Sequence, residues 1–350
     1  MIYLDLPHGS AHGWGICGDA LTREFYKIRD VHSINDMDLS QGVSEVPGAL
    51  LQCVQSKHFE PLHDVRGNPT VGYAFFEDTV LEPEWLELAR RYDRLAVGST
   101  WMRGLLQGYE VPSEVVLQGV DTKPFRPGPR TYFKNKFVVF SGGKFELRKG
   151  QDLVIRAMRV LMDQRPDVML LAQWTNYWPA SRDTMAQSPH IEYQPGDDIR
   201  KTLVNEGIDL SRVVLLGPCP QHAMAMIYQQ ADCAVFPNRC EGGTNLVLME
   251  CMASGLPCVV SYNSGHRDVV TPETAKLLRL YEFMQVRNGT GKVSAQWHDP
   301  NLEELIESLE WAYTNREQCL ELGRAARKLM DKFTWESAAW QFVDLLGFPA

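Results

Sequence analysis

At 350 residues the chain is too long for one ordinary core and long enough for two domains, and its 44% apolar content lets each half bury a core of its own. The net charge of −9 excludes a protein that grips nucleic acid by neutralising phosphates in bulk, so any anion site has to be local. The eight cysteines form no CxxC, and the pairs Cys233/Cys240 and Cys251/Cys258 lack zinc spacing, so they read as small apolar residues of a reducing compartment.

In chain order, short β-rich apolar runs alternate with helical patterns, the signature of parallel sheets with crossover helices. A strand is expected over 2–6, then a Gly-rich loop and a helix over 16–23. Residues 30–69 hold many turn formers and little periodicity. Strands follow over 70–76, 94–98 and 115–118, with helices over 84–91 and 100–107. The Pro-rich stretch 123–129 is the natural joint, because proline fixes φ and lacks an N–H. Beyond it, strands are expected over 137–141, 168–173, 213–217, 233–237 and 258–261. Helices are expected over 151–162, 221–230, 245–254, 302–314 and 316–332, with a capping box of Asn301 and Glu304. The segment 335–346 places Trp335, Ala338, Ala339, Phe342 and Leu346 on one face of a last amphipathic helix. The expected layout is an α/β chain with a first Rossmann-like domain over 1–128, a second over 129–334, and the terminal helix 335–350 packing near the first. No run nears the ~20 apolar residues of a membrane span. The start of the chain lacks the basic and apolar regions of a signal peptide, so a soluble cytoplasmic protein is expected.

The richest stretch for chemistry runs from Pro237 to Glu250. A buried strand ends, a loop carries Glu241, Gly242 and Gly243, and a helix begins at Thr244 or Asn245, with Thr244 a good N-cap. Free N–H groups and the positive helix end would favour an anion, and the glycines would admit a diphosphate close to the backbone. Glu250 would stand roughly 8 Å along the helix axis, within reach of ribose hydroxyls, which a carboxylate accepts. Directly after an earlier strand come Gly142, Gly143, Lys144 and Lys149, whose charges would neutralise a leaving diphosphate.

With these residues in view, the second half resembles the nucleotide-binding domain of the family-four retaining glycosyltransferases, which have the GT-B fold. The stretch from Gly142 to Leu153 looks like that family's phosphate-binding loop and helix. Leu216-Gly217, the strand Ala231 to Asn238, and the run Glu250 to Val259 are similar to the segments that follow. Val97 to Trp101 and Gly119-Val120-Asp121 resemble the end of its acceptor domain. The resemblance is strong from about residue 70 onward. It implies a nucleotide-sugar donor (UDP- or GDP-linked), a carbohydrate or glycosylated acceptor, no required cofactor and no metal. Lys149 would hold the diphosphate, Glu250 the ribose, and Glu241 the transferred sugar. Retention would follow from front-face attack assisted by the leaving phosphate. Two departures stand out: the glutamates lie nine positions apart instead of eight, and Gly143 occupies a place where the family often carries an Arg, with Lys144 beside it.

Gly13, Gly15 and Gly18 formally match GxGxxG, but six residues separate them from the strand and no convincing second strand follows, so an NAD-dependent oxidoreductase is a minor alternative. In a GT-B enzyme Gly13 and Gly15 would face the donor phosphates across the cleft. Asp36-Met37-Asp38 forms a DxD that reads as a solvated loop. His8, His12 and Glu77 are candidates on the acceptor side. The aromatic residues around Trp174, Tyr177 and Trp178 could stack on a base, with buried packing the favoured role. A second alternative keeps the fold without turnover, as a nucleotide-sugar-binding protein or partner subunit.

Overall fold

Stretches such as 2–4 and 137–140 show no polar alternation, the pattern of strands covered on both faces. In a computed structural model, which describes residues 1–348, they are inner strands of two six-stranded parallel sheets.

The first domain contains β1 (Ile2–Asp5), α1 (Gly13–Ile28), β2 (Val31–Ser33), β3 (Ala49–Val54), β4 (Thr70–Ala74), α2 (Pro83–Ala89), β5 (Arg94–Val97), α3 (Thr100–Gly108) and β6 (Glu114–Val115). Its strand order is β2-β1-β3-β4-β5-β6. The second domain contains β7 (Phe137–Gly143), α4 (Gln151–Gln164), β8 (Val168–Trp174), α5 (Ile199–Asn205), β9 (Val213–Leu215), α6 (Gln221–Tyr228), β10 (Cys233–Phe236), α7 (Leu246–Ala253), β11 (Cys258–Ser261) and β12 (Lys276–Leu278). A hairpin of β13 (Tyr281–Arg287) and β14 (Val293–Pro300) follows, then α8 (Leu302–Thr314), α9 (Arg316–Met330) and α10 (Trp335–Leu345). Here the order is β12-β11-β10-β7-β8-β9, so the topological switch falls between β7 and β10. Open α/β sheets bind ligands in the crevice outside the strand ends at such a point.

Both faces of the second sheet are covered, as its sequence requires. Phe137 and Val139 point into a core with α4 and α8, while Val138 and Phe140 point into one with α7 and α9. The terminal helix α10 leaves the second domain. Its Trp335, Ala338, Ala339, Phe342 and Val343 join Ile2, Leu4 and Phe25 in the first core, and Phe342 meets the ring of Tyr73 at 4.7 Å.

Several elements differ from expectation. Helix α1 starts at Gly13 because the His12 side chain caps it. Within 30–69 lie β2 and β3, so a second strand does follow α1. The Asn301 side chain accepts the Glu304 N–H at 2.9 Å, but the Glu304 carboxylate turns to the N–H groups of Arg279 and Leu280 instead of closing the box. The hairpin β13–β14 was not anticipated, although Asn288-Gly289-Thr290-Gly291 between two β-rich runs is a turn signal.

Removing the Phe342 side chain should lower stability by about 3–5 kcal/mol in urea titration, since it opens a cavity in the first core. The exposed neighbour change Gln341→Ala on the same helix should stay within about 0.5 kcal/mol.

Candidate active site

Strand β7 ends in Gly142 and Gly143, and the chain then makes a tight turn at Leu147–Lys149 before α4. Gly143 has φ of +111°, a conformation that L side chains rarely adopt and glycine takes freely. At Gly150 φ is +73°, and a Cβ there would fall 2.2 Å from the Pro237 carbonyl oxygen. Glycine therefore lets the turn press against the end of β10 and brings Lys149 to the loop that carries Glu241.

Glu241 is buried, and its carboxylate is fully engaged. Lys149 Nζ donates to Oε1 at 2.6 Å, Arg148 Nη1 donates to Oε2 at 2.8 Å, and the Asn238 amide also donates to Oε1. Burial opposes its ionisation, but the charges of Lys149 and Arg148 outweigh that and hold the carboxyl well below the usual carboxylate range. Beside it lies His266, fully buried. Its Nδ1 lies 3.1 Å from the Ser261 carbonyl and so carries the proton, leaving Nε2 to accept from Asn245 at 3.1 Å. Burial pushes its pKa down to about 4, which keeps it neutral.

The loop itself is anchored by Arg239, whose side chain is fully buried. Its guanidinium donates to both Asp152 oxygens at 2.8 and 2.7 Å, to Asp299 on β14 at 2.8 Å and to the Leu147 carbonyl at 2.6 Å. One side chain thus ties the β10 loop, the start of α4 and the hairpin together, with all three nitrogens of a planar fork donating.

Gly242, Gly243, Thr244 and Asn245 are buried, and the close approach that the glycines permit is to the first domain. A Cβ at Gly242 would lie 2.5 Å from the Phe76 carbonyl oxygen, and one at Gly243 would meet Gln118 and Phe75 within 3 Å. Ser99 donates to the Gly242 carbonyl at 2.7 Å, and Gln118 Oε1 accepts from the Thr244 hydroxyl at 3.1 Å. The helix cap is Asn245, at φ of +64°, accepting the Leu248 N–H, so Thr244 is free to face the other domain.

Glu77, a candidate on the acceptor side, reaches the second domain: its Oε1 stands 3.1 Å from Arg148 Nη1 and accepts the Gly242 N–H at 3.2 Å. Glu250 sits in a contrasting place. It is buried without a cation, accepting from Gln221 at 2.8 Å and the Tyr228 hydroxyl at 2.6 Å, and burial raises its pKa to about 7.

At the other end of the interface, Gly13 and Gly15 form the first turn of α1. A Cβ at Gly15 would strike the Gly9 carbonyl oxygen at 2.2 Å, and one at Gly18 the Pro7 carbonyl oxygen at 1.9 Å, so these two glycines serve packing of the helix on its own loop. Space beside Gly13 is open. His12 reaches across to Tyr177 and Trp178, with ring centroids 5.0 and 5.3 Å away, and Lys144 lies over Trp178 at 5.4 Å. Trp174 is buried as expected, but Tyr177 and Trp178 are 57% and 47% exposed, against the packing role favoured for them. Burial, with Lys144 nearby, lowers the His12 pKa. His8 turns to Asp19 at 2.7 Å. Asp36 and Asp38 lie at short 3-10 turns, Asp38 capping Ser40. Among the described residues no group of three or more His, Cys, Asp or Glu is placed to hold a metal ion, and no helix is long and apolar enough to cross a membrane.

Arg148, Asn238, His266 and Gln118 escaped the reading of the sequence as site residues. Arg148 adjoins Lys149, and Asn238 stands three residues before Glu241 in the same stretch, so both could have been suspected; His266 and Gln118 come from distant segments and leave no local signal.

Two six-stranded parallel sheets whose strand ends meet at one interface, with a terminal helix that returns to the first, define the GT-B class of fold. Residues 135–282 match the family model described as glycosyl transferases group 1. The lipopolysaccharide core biosynthesis mannosyltransferase LpsB of Rhizobium meliloti is 28% identical over 53% of this chain and 49% of its own. A D-inositol 3-phosphate glycosyltransferase of Corynebacterium aurimucosum is 25% identical over 69% of this chain and 53% of its own. The chain spans about half the length of these curated relatives. Among solved structures, the sucrose-phosphate synthase of Thermosynechococcus elongatus superposes with a TM-score of 0.69 at 16% identity, covering 98% of this chain and 97% of that one. HepE of Anabaena, solved with UDP and glucose, gives 0.66 at 14% identity, covering 99% and 98%.

The raised pKa of Glu250 sets a sign. Its folded form binds a proton more tightly than the unfolded chain, so its contribution is fully present below about pH 4.5 and is lost as pH rises through about 7. Glu250→Gln should flatten the decline in stability over that window, measured by urea titration at half-unit pH steps; an unchanged slope would place the titration elsewhere.

Proposed function

We propose that the chain is a retaining, metal-independent glycosyltransferase that moves a hexose from a UDP- or GDP-sugar to a carbohydrate or glycosylated acceptor. The observation that carries this reading is the Lys149–Glu241 pair at the switch point of the second sheet, where a cation for a diphosphate and a carboxylate for a sugar stand in contact. The family match and the mannosyl- and inositol-phosphate glycosyltransferase relatives support the reaction class. The fold shared with HepE, solved with UDP and glucose, supports a nucleotide-sugar donor.

In this reading Lys149, with Lys144 nearby, takes the charge of the diphosphate as it leaves. The bond from the anomeric carbon to the diphosphate oxygen breaks, and the acceptor hydroxyl oxygen bonds that carbon from the same face. The hydroxyl proton passes to the departing phosphate oxygen, so no enzymatic nucleophile enters. Glu241 accepts hydroxyls of the sugar, and Glu250 accepts those of the ribose with the lone pairs its present donors leave free. His12, Gly13 and His8 lie on the first-domain side, where an acceptor would enter. Contact between the domains keeps water from the sugar.

The test is a thermal shift with UDP, GDP, ADP and NAD, each without metal, followed by transfer assays with UDP- and GDP-hexoses. A nucleotide at 100 times its dissociation constant adds roughly 2.7 kcal/mol to the native state. UDP or GDP should stabilise the chain, Lys149→Ala should abolish the shift, and Glu241→Ala should abolish transfer. A response to NAD alone would sink the proposal. Binding without transfer to any acceptor would favour a nucleotide-sugar-binding protein without turnover.

A further inference from the structure

Three carboxylates and three cations converge where the domains meet: Glu77, Glu146 and Glu241 with Lys144, Arg148 and Lys149. The cluster is balanced as it stands, three charges of each sign. A bound diphosphate would bring in further negative charge and compete with the carboxylates for a cation.

The two cations on Glu241 are not equally available to such a competitor. Lys149 is a point charge on a flexible stem and donates to Glu241 with one of its three N–H groups. Arg148 is pinned on both sides of its fork. Nη1 serves Glu241 at 2.8 Å, Glu77 at 3.1 Å and the Cys240 carbonyl at 3.1 Å, while Nη2 serves Glu146 at 2.8 Å. Giving up Arg148 would take a cation from three carboxylates at once and leave Glu77 without one; sharing Lys149 strands none, because Arg148 and Asn238 stay on Glu241.

Glu77 comes from the first domain, just past β4, and its Oε1 makes two contacts in the second. One is Arg148 Nη1 and the other is the Gly242 N–H, the residue directly after Glu241. Its own carbonyl accepts from Trp297 Nε1 of the hairpin at 2.8 Å, so its backbone is held in place as well.

We propose that Arg148 and Glu77 are positioning residues for Glu241. Arg148 keeps Glu241 ionised and aimed while Lys149 is shared with the donor diphosphate. Glu77 holds both Arg148 and the Gly242 amide in that pose, and does so only while the two domains are in contact. The inference rests on the reading above that Glu241 lies against the transferred sugar, and it makes contact with the first domain a condition for a correctly set site in the second.

The test uses the whole chain with Glu77→Gln, Glu77→Asp and Arg148→Lys, each checked for folding by its thermal midpoint. UDP or GDP affinity is measured by calorimetry. For the nucleotide-sugar that the wild-type chain turns over, kcat and KM are also measured. Glu77→Gln and Arg148→Lys should leave nucleotide affinity and donor KM within about twofold and lower kcat by about 10- to 100-fold, the cost of a misplaced group. Glu77→Asp should recover part of the loss. An unchanged kcat in Glu77→Gln, or a loss seen equally in KM and affinity, overturns the inference while leaving the transferase reading intact. If the wild-type chain turns over no donor, the transferase reading fails by itself. The coupling is then read from a double-mutant cycle of Glu77→Gln with Glu241→Gln in urea. These side chains share Arg148 as their partner, so their effects on the unfolding constant should depart from additivity by more than about fivefold, and additive effects overturn the inference.

Discussion

The structure turns on one carboxylate out of water. Glu241 is 4% exposed, and an ionised group so placed is tolerable only if its lone pairs and its charge are both met. Meeting them fixes much else. Lys149 can reach it because Gly143 and Gly150 take left-handed backbone that brings the β7 turn against β10. Arg148 can reach it because the same turn presents consecutive basic residues, one to each carboxylate oxygen. The loop stays put because Arg239 is bolted to Asp152 and Asp299. Each of these devices would be a cost in isolation, since burying Arg239 or straining a turn stabilises nothing by itself. Together they hold a charged site rigid before any ligand arrives, which is what electrostatic preorganisation requires.

The two glutamates of the β10–α7 segment show how environment separates like groups. Glu241, between two cations, is held ionised. Glu250, nine residues on and buried against Gln221 and Tyr228 alone, has its pKa raised to about 7. The contrast follows from the loop reaching the cationic turn while the helix carries Glu250 into an apolar layer with Leu248, Met249 and Met252. On the proposed reading the site meets both a developing charge and neutral hydroxyls, and it holds groups of both kinds.

The sequence shows its sheets more plainly than its interface. Unbroken apolar runs marked β7, β8, β10 and β11, and α8 runs over the same residues that periodicity suggested, because Asn301 caps it and Asn315 ends it. The first domain was harder to read because β2 is three residues long and β3 is enclosed by turn formers, so neither stands out from its surroundings. Lys149 and Glu241 could be picked out because strand, glycine and charge fall together locally. Gln118, His266 and the true partner of Glu77 could not, since each acts on residues 21 to 165 positions away and such contacts have no periodic trace. The glycines of the Glu241 loop signal a close approach, and in this structure the first domain makes it.

The nine-residue spacing of the glutamates shows what this interface does. An added residue between a loop and a helix can shift the helix or bulge the loop. Here Asn245 takes φ of +64° and is the cap, so α7 begins at Leu246 and residues 242–245 belong to the loop. Residues 242–244 lie against the first domain, with Phe75 and Phe76 against the glycines, Ser99 on the Gly242 carbonyl and Gln118 on Thr244. Asn tolerates this backbone better than most residues, and its side chain satisfies the Leu248 N–H while Thr244 bonds to Gln118. With this spacing Glu241 stands on its two cations, and the residues between it and the cap form part of the seam between the domains.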